Sequence, residues 1–83
     1  MECLFSNCKS LTNINLSNFD TQKVTSITYL FQGCKSLKYV NLSNFTVRND
    51  TAMSCVFLGC ESLKKENIIT KDRKILNEYL SMH

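Results

Sequence analysis

Hydrophobic positions in this chain recur at a constant step of 26 residues. Phe5, Phe31 and Phe57 share one column, and Leu11, Leu37 and Leu63 share another. Polar positions keep the same step. Ser10, Ser36 and Ser62 align, as do Asn15, Asn41 and Asn67, and Cys8, Cys34 and Cys60. The stretch Asn15-Leu16-Ser17-Asn18-Phe19 returns unchanged as Asn41-Leu42-Ser43-Asn44-Phe45. A fixed period in this range predicts a solenoid, in which each repeat buries its apolar face only against its neighbours. The chain then reads as one segment, 1–83, with repeats at about 1–26, 27–52 and 53–78.

Within the central repeat, Val24, Ile27, Leu30 and Phe31 fall at helical spacing and predict a helix of about two turns. Gly33 suits a left-handed stop after it. Cys34-Lys35-Ser36 reads as a turn. Leu37, Val40 and Leu42 then follow as L-x-x-V-x-L, whose last part alternates as a strand does. Leu11, Ile14, Leu16 and Phe19 fill the same columns in the first repeat. The third supplies Leu63 and Ile68 but sets Glu66 in the column of Ile14 and Val40. A carboxylate buried there would cost several kcal/mol, so the third repeat is expected to fray.

Beyond it, Ile75 with Tyr79 and Leu76 with Leu80 predict a terminal helix over 70–82. Thr70 is the expected N-cap, and Asp72 suits the helix dipole. Met1 shares the column of Ile27 and Met53, and Tyr79 falls there too. The chain therefore starts and stops inside a helical segment, which reads as a piece of a longer array.

Composition narrows the partners. A hydrophobic content of 43% is that of a globular chain. A net charge of +3 is too weak to point to nucleic acid, and Lys9, Lys35, Lys38, Lys64 and Lys65 recur as a solvated rim rather than as one block. No apolar run approaches the ~18 residues of a membrane span. The first residues lack the basic and apolar regions of a signal peptide. Gly33 and Gly59 share a column and punctuate the repeat.

The five cysteines raise metal and disulfide chemistry. Cys3 and Cys55 stand two rungs apart, roughly 10 Å in a stack with strand spacing, too far for one zinc. Cys8, Cys34 and Cys60 would be near neighbours, but their parallel Cβ vectors suit no disulfide. They are expected as free core thiols, with no metal and no cofactor. His83 is the sole histidine and is terminal, so no triad can be built on it. Asp20 and Asp72 share the loop column, but Thr46 interrupts it and weakens a calcium ladder. The N-x-S/T sequons at Asn15, Asn41, Asn44 and Asn49 follow largely from the repeat itself.

The string at Leu11–Phe19, continuing through Asp20–Thr25 and Leu30–Leu37, resembles the BspA-like leucine-rich repeat family of surface proteins. It returns at Leu37–Phe45 and in part at Val56–Leu63, so the resemblance covers about residues 3–63. Thr46–Asp50 departs from the family's loop. The resemblance implies an α/β fold: a right-handed leucine-rich-repeat solenoid with short parallel strands on the concave face and short helices opposite. It also implies no catalytic residues, a cell-surface or secreted location, and adhesion to a host or cell-surface protein. The right hand follows independently, since parallel strands joined by crossovers are almost always right-handed.

The strand positions between the apolar ones are expected to face outward. These are Asn13, Asn15 and Ser17, then Tyr39, Asn41 and Ser43, then Lys65, Asn67 and Ile69. Tyr39 is the one aromatic among them and the expected anchor for a protein ligand. The expected function is a non-enzymatic interaction or adhesion module that also meets neighbouring repeats. The alternatives are a spacer without a ligand, or a piece of a larger protein whose activity lies elsewhere.

Overall fold

Alternation at Ile14 and Val40 is realised in two short parallel strands, β1 (Asn13–Asn15) and β2 (Tyr39–Asn41). A third, β3 (Ile68–Ile69), completes one sheet in the order β1-β2-β3. A single α-helix, α1 (Arg73–Met82), follows. The structure is a computed structural model that describes residues 2–19 and 21–82. Met1, Asp20 and His83, to which the sequence assigns a repeat column, a loop position and the only imidazole, lie outside the described residues.

The segments expected as short helices on the back of each repeat are turns instead. Alternate N–H groups there point to the next layer of chain rather than along their own. Cys3, Phe5 and Asn7 donate to the carbonyls of Thr28, Leu30 and Gln32 at 3.2, 3.0 and 2.7 Å. Ile27, Tyr29, Phe31 and Gly33 donate to Ala52, Ser54, Val56 and Leu58 at 2.7–3.1 Å. An α-helix needs those N–H groups for its own i−4 carbonyls. Positive φ at Cys3, Tyr29 and Cys55 (58–59°) breaks helical geometry at the same point in each layer.

The right-handed leucine-rich-repeat solenoid with helices on its outer side is therefore overturned. What forms is a small compact body, 28 × 23 × 19 Å, with three short parallel strands and one helix.

Gly33 and Gly59 carry φ near 78°, and a side chain at either would collide with the adjacent layer. A Cβ on Gly33 would run into the Asn7 amide, and one on Gly59 would press on the Gly33 backbone at 3.3 Å. Asn7 takes this conformation in the first layer (φ 62°), as asparagine tolerates.

Phenylalanine forms the centre of the core. The rings of Phe5, Phe31 and Phe57 stack at 5.8 Å with interplanar angles of 12° and 14°. Leu30, Phe31, Cys34, Leu37 and Val40 of the middle layer are fully buried. Their counterparts Phe5, Cys8, Leu11 and Ile14 are only partly covered.

Helix α1 closes the far end of the column. Tyr79 meets Phe57 edge-on at 5.9 Å, and its hydroxyl donates to the Leu63 carbonyl at 2.7 Å. Ile75 is buried beside it. The helix starts later than its apolar spacing suggests, because Asp72 caps it: the Lys74 N–H donates to Asp72 Oδ1 at 2.9 Å. The Thr70 hydroxyl serves one step earlier, accepting the Asp72 N–H at 3.0 Å.

Phe31→Ala should cost about 3–5 kcal/mol, the usual price of emptying a buried phenylalanine site. That is a large fraction of the stability of so small a body. Chemical denaturation of the purified variant measures it, and a midpoint equal to the parent's would contradict the stacked column. Tyr79→Phe keeps the ring and loses a buried hydrogen bond, and should cost about 1 kcal/mol in the same assay.

Candidate interaction surface

Residue pairing decides which side chains share the outer face of the sheet. β1 pairs with β2 at Asn13–Tyr39, Ile14–Val40 and Asn15–Asn41, a step of 26 residues. β2 pairs with β3 at Val40–Ile68 and Asn41–Ile69, two residues further on. The 3-10 turn Lys65–Asn67 takes up the difference. A two-residue slip preserves the face each side chain occupies. It places Ile68, buried, beside Val40 and leaves Glu66 exposed in the turn. The misfit of Glu66 is thus relieved by register, and the third strand forms.

The slip redistributes the expected outer face. Tyr39 lies at its centre and is 40% exposed. Asn13 and Asn15 are exposed on β1, and Asn41 is half-buried on β2. Ile69, 38% exposed, sits beside Asn41. Lys65 and Asn67 belong to the 3-10 turn and not to the sheet. Ser17 and Ser43 lie in the turns that leave β1 and β2. The sequence signal for the slip was the adjacent pair Ile68-Ile69, which supplies one inward and one outward β-branched residue.

The amides have backbone work to do. Asn15 Oδ1 accepts the Ser17 N–H at 2.9 Å, and Asn41 Oδ1 accepts the Ser43 N–H at 3.0 Å. Each asparagine so turns the chain out of its strand. Asn44 Nδ2 donates to the Ser17 carbonyl, tying one turn to the other at 2.6 Å. Tyr39 and Ile69 are the large apolar side chains left open on this face.

A second concavity was not anticipated. A groove of about 500 Å3 runs between the turn Ser43–Thr46 and the start of α1, Lys71–Lys74. Both oxygens of Asp72 in its wall are engaged, Oδ2 by the Val47 N–H at 3.0 Å and Oδ1 by Lys74. Nothing in the 26-residue pattern marks this groove, because α1 lies outside the pattern.

Two of the thiols, Cys34 and Cys60, are core groups with a directional role. Cys34 Sγ donates to the Phe5 carbonyl at 3.0 Å, and Cys60 Sγ to the Phe31 carbonyl at 3.2 Å. Each links its layer to the one before. Burial pushes the Cys34 thiol above its ordinary value of 9.0. Burial, with the neighbouring Cys34 second, pushes Cys60 up to about 12. All five cysteines are free, Cys3 being exposed. Among the described residues no three His, Cys, Asp or Glu side chains converge, and no helix is long and apolar enough to cross a membrane.

Residues 1–82 match the family described as "Mycoplasma protein of unknown function, DUF285". The chain belongs to the DUF285 family. That match spans nearly the whole chain and overturns the resemblance to BspA-like leucine-rich repeats. No curated protein and no solved structure matches this DUF285 chain.

Two outcomes are expected of the thiols. Without denaturant, alkylation should label Cys3 and spare Cys34 and Cys60, with five labels appearing only on unfolding; mass spectrometry reads the difference. A raised thiol pKa stabilises the folded state below the unfolded value. That contribution is therefore complete below pH 9 and is lost as pH rises towards about 12. Cys60→Ala removes the titrating group, so the melting temperatures of parent and variant should converge across that window. A constant gap would show that the buried thiol does not titrate there.

Proposed function

We propose that this DUF285 chain is a non-enzymatic protein-interaction module whose working surface is the outer face of the sheet. The observation that carries the proposal is the presence of exposed Tyr39 and exposed Ile69 on adjacent strands, diagonal to one another because Ile69 is opposite Asn41, set among asparagines. A central tyrosine with a polar surround matches the aromatic anchor and polar rim of a binding surface. The strands hold both residues in place, so little ordering entropy is lost on binding. Adhesion and a surface location came with the overturned resemblance and form no part of this proposal.

The immobilised chain is used to retain proteins from cell extract, and a retained protein is purified for affinity measurement. Tyr39→Ala should weaken that binding about thirtyfold, equivalent to about 2 kcal/mol. Ser17→Ala, at the margin, should change it little. Neither should alter circular dichroism or melting, since both side chains leave the core. Equal affinity of Tyr39→Ala and parent would remove the sheet face as the surface. Retention of nothing would favour a spacer without a ligand.

A further inference from the structure

The groove beside α1 opens off the sheet face. Asn41 and Ile69 are opposite one another on β2 and β3. Two residues beyond Asn41 comes Ser43, two beyond Ile69 comes Lys71, and both line the groove. Tyr39 lies four residues before Ser43, about 13 Å of extended chain. Face and groove thus form one track that follows the strand direction.

Charge divides this track. Its sheet part, Tyr39, Asn41 and Ile69 with Asn13 and Asn15 alongside, has no charged side chain. Its groove part has three exposed cations, Lys71, Arg73 and Lys74. The carboxylate among them, Asp72, is engaged within the fold. Its Oδ2 accepts the Val47 N–H at 3.0 Å, its Oδ1 accepts the Lys74 N–H at 2.9 Å, and Lys74 Nζ lies 4.0 Å from Oδ1. Lys71 and Arg73 are in no ion pair among the described residues. Buried Phe45 supplies an apolar part of the groove wall.

We propose that this track binds an acidic protein segment in extended conformation, with an apolar side chain against Tyr39 and Ile69 and carboxylates in the groove at Lys71 and Arg73. The proposal rests on the sheet-face reading and adds the chemistry of the partner to it. Charge complementarity selects the occupant. Two cations without a partner can hold carboxylates through charge-assisted hydrogen bonds, and the Arg73 guanidinium can make two in parallel. A nucleic acid matches the track less well. Its phosphates recur at every nucleotide and would cross the uncharged sheet part, where no cation meets them. A small anion would fit the groove of about 500 Å3 but would leave Tyr39 and Ile69 uncovered.

The test selects random dodecapeptides, displayed on phage, against the full folded chain. Enriched peptides are synthesised and their affinities measured. They should carry Asp or Glu about four residues from a large apolar residue, the spacing from Tyr39 to the groove. Lys71→Gln combined with Arg73→Gln should weaken their binding on the order of tenfold, as expected of two exposed ion pairs, and should flatten its decline with salt. Lys71→Arg combined with Arg73→Lys should keep it. Both cations are exposed, so circular dichroism should be unchanged in either variant. A library that enriches nothing, or enriches peptides without acidic residues, would overturn the proposal. So would peptides that bind the glutamine variant as tightly as the parent. If those same peptides are weakened by Tyr39→Ala, the sheet face stands and only its acidic partner falls; if they are not, both fall. A short single-stranded RNA that competes with the peptides and is lost in the glutamine variant would assign the groove to nucleic acid instead.

Discussion

Everything in this molecule depends on main-chain hydrogen bonds that run from one layer to the next. Alternate N–H groups of the back segment, at Phe5, Phe31 and their neighbours, are committed to carbonyls about one repeat away. That commitment holds the phenylalanine rings in register at 5.8 Å and denies the segment a helix of its own. It also keeps Tyr29 and its counterparts at positive φ, a conformation that costs about 1–2 kcal/mol per residue outside such a frame. The glycine column follows from the same constraint, because Gly59 lies against Gly33 with no room for a side chain.

Directionality is the less obvious consequence. In the back segment the N–H groups point from each layer to the next, so along that segment the two ends differ in chemistry and not merely in sequence. At the far end, α1 gives a Glu78 carboxylate to the Cys55 N–H and an Asp72 carboxylate to the Val47 N–H, and covers the core with Tyr79. At the opposite end the Glu2, Leu4 and Ser6 carbonyls accept no backbone N–H among the described residues, and Leu4 and Phe19 are exposed. The buried thiols run against that direction, since Cys34 and Cys60 each donate back to a carbonyl of the preceding layer. Cysteine in this column is thus a small core residue with one weak donor, and its high pKa keeps that donor protonated.

The sheet face is where the scaffold has least need of its side chains. Asn15 and Asn41 spend their amides on the turns, so they are partly structural. Tyr39 and Ile69 have no comparable duty to the fold, which is why a binding role for them is economical. Membership of the DUF285 family fixes the chain's kinship across nearly its full length.

The sequence by itself determined the layer spacing of the first two layers, the phenylalanine column, the left-handed turn at Gly33 and a closing helix, without choosing which of its two apolar pairs turns inward. These are legible because each rests on a residue type repeated at a constant step, or on helical spacing. Tertiary structure alone decided three things. Val24–Phe31 became a bridge at Ser26 followed by turns, since the competition between helical and interlayer hydrogen bonds is settled only when the neighbouring layer is present. Strand β3 slipped by two residues, since only packing against Val40 makes Ile68 better than Glu66. The groove beside Lys71–Lys74 and the chemical difference between the two ends arise where α1 folds back on the stack, and no local pattern encodes that contact.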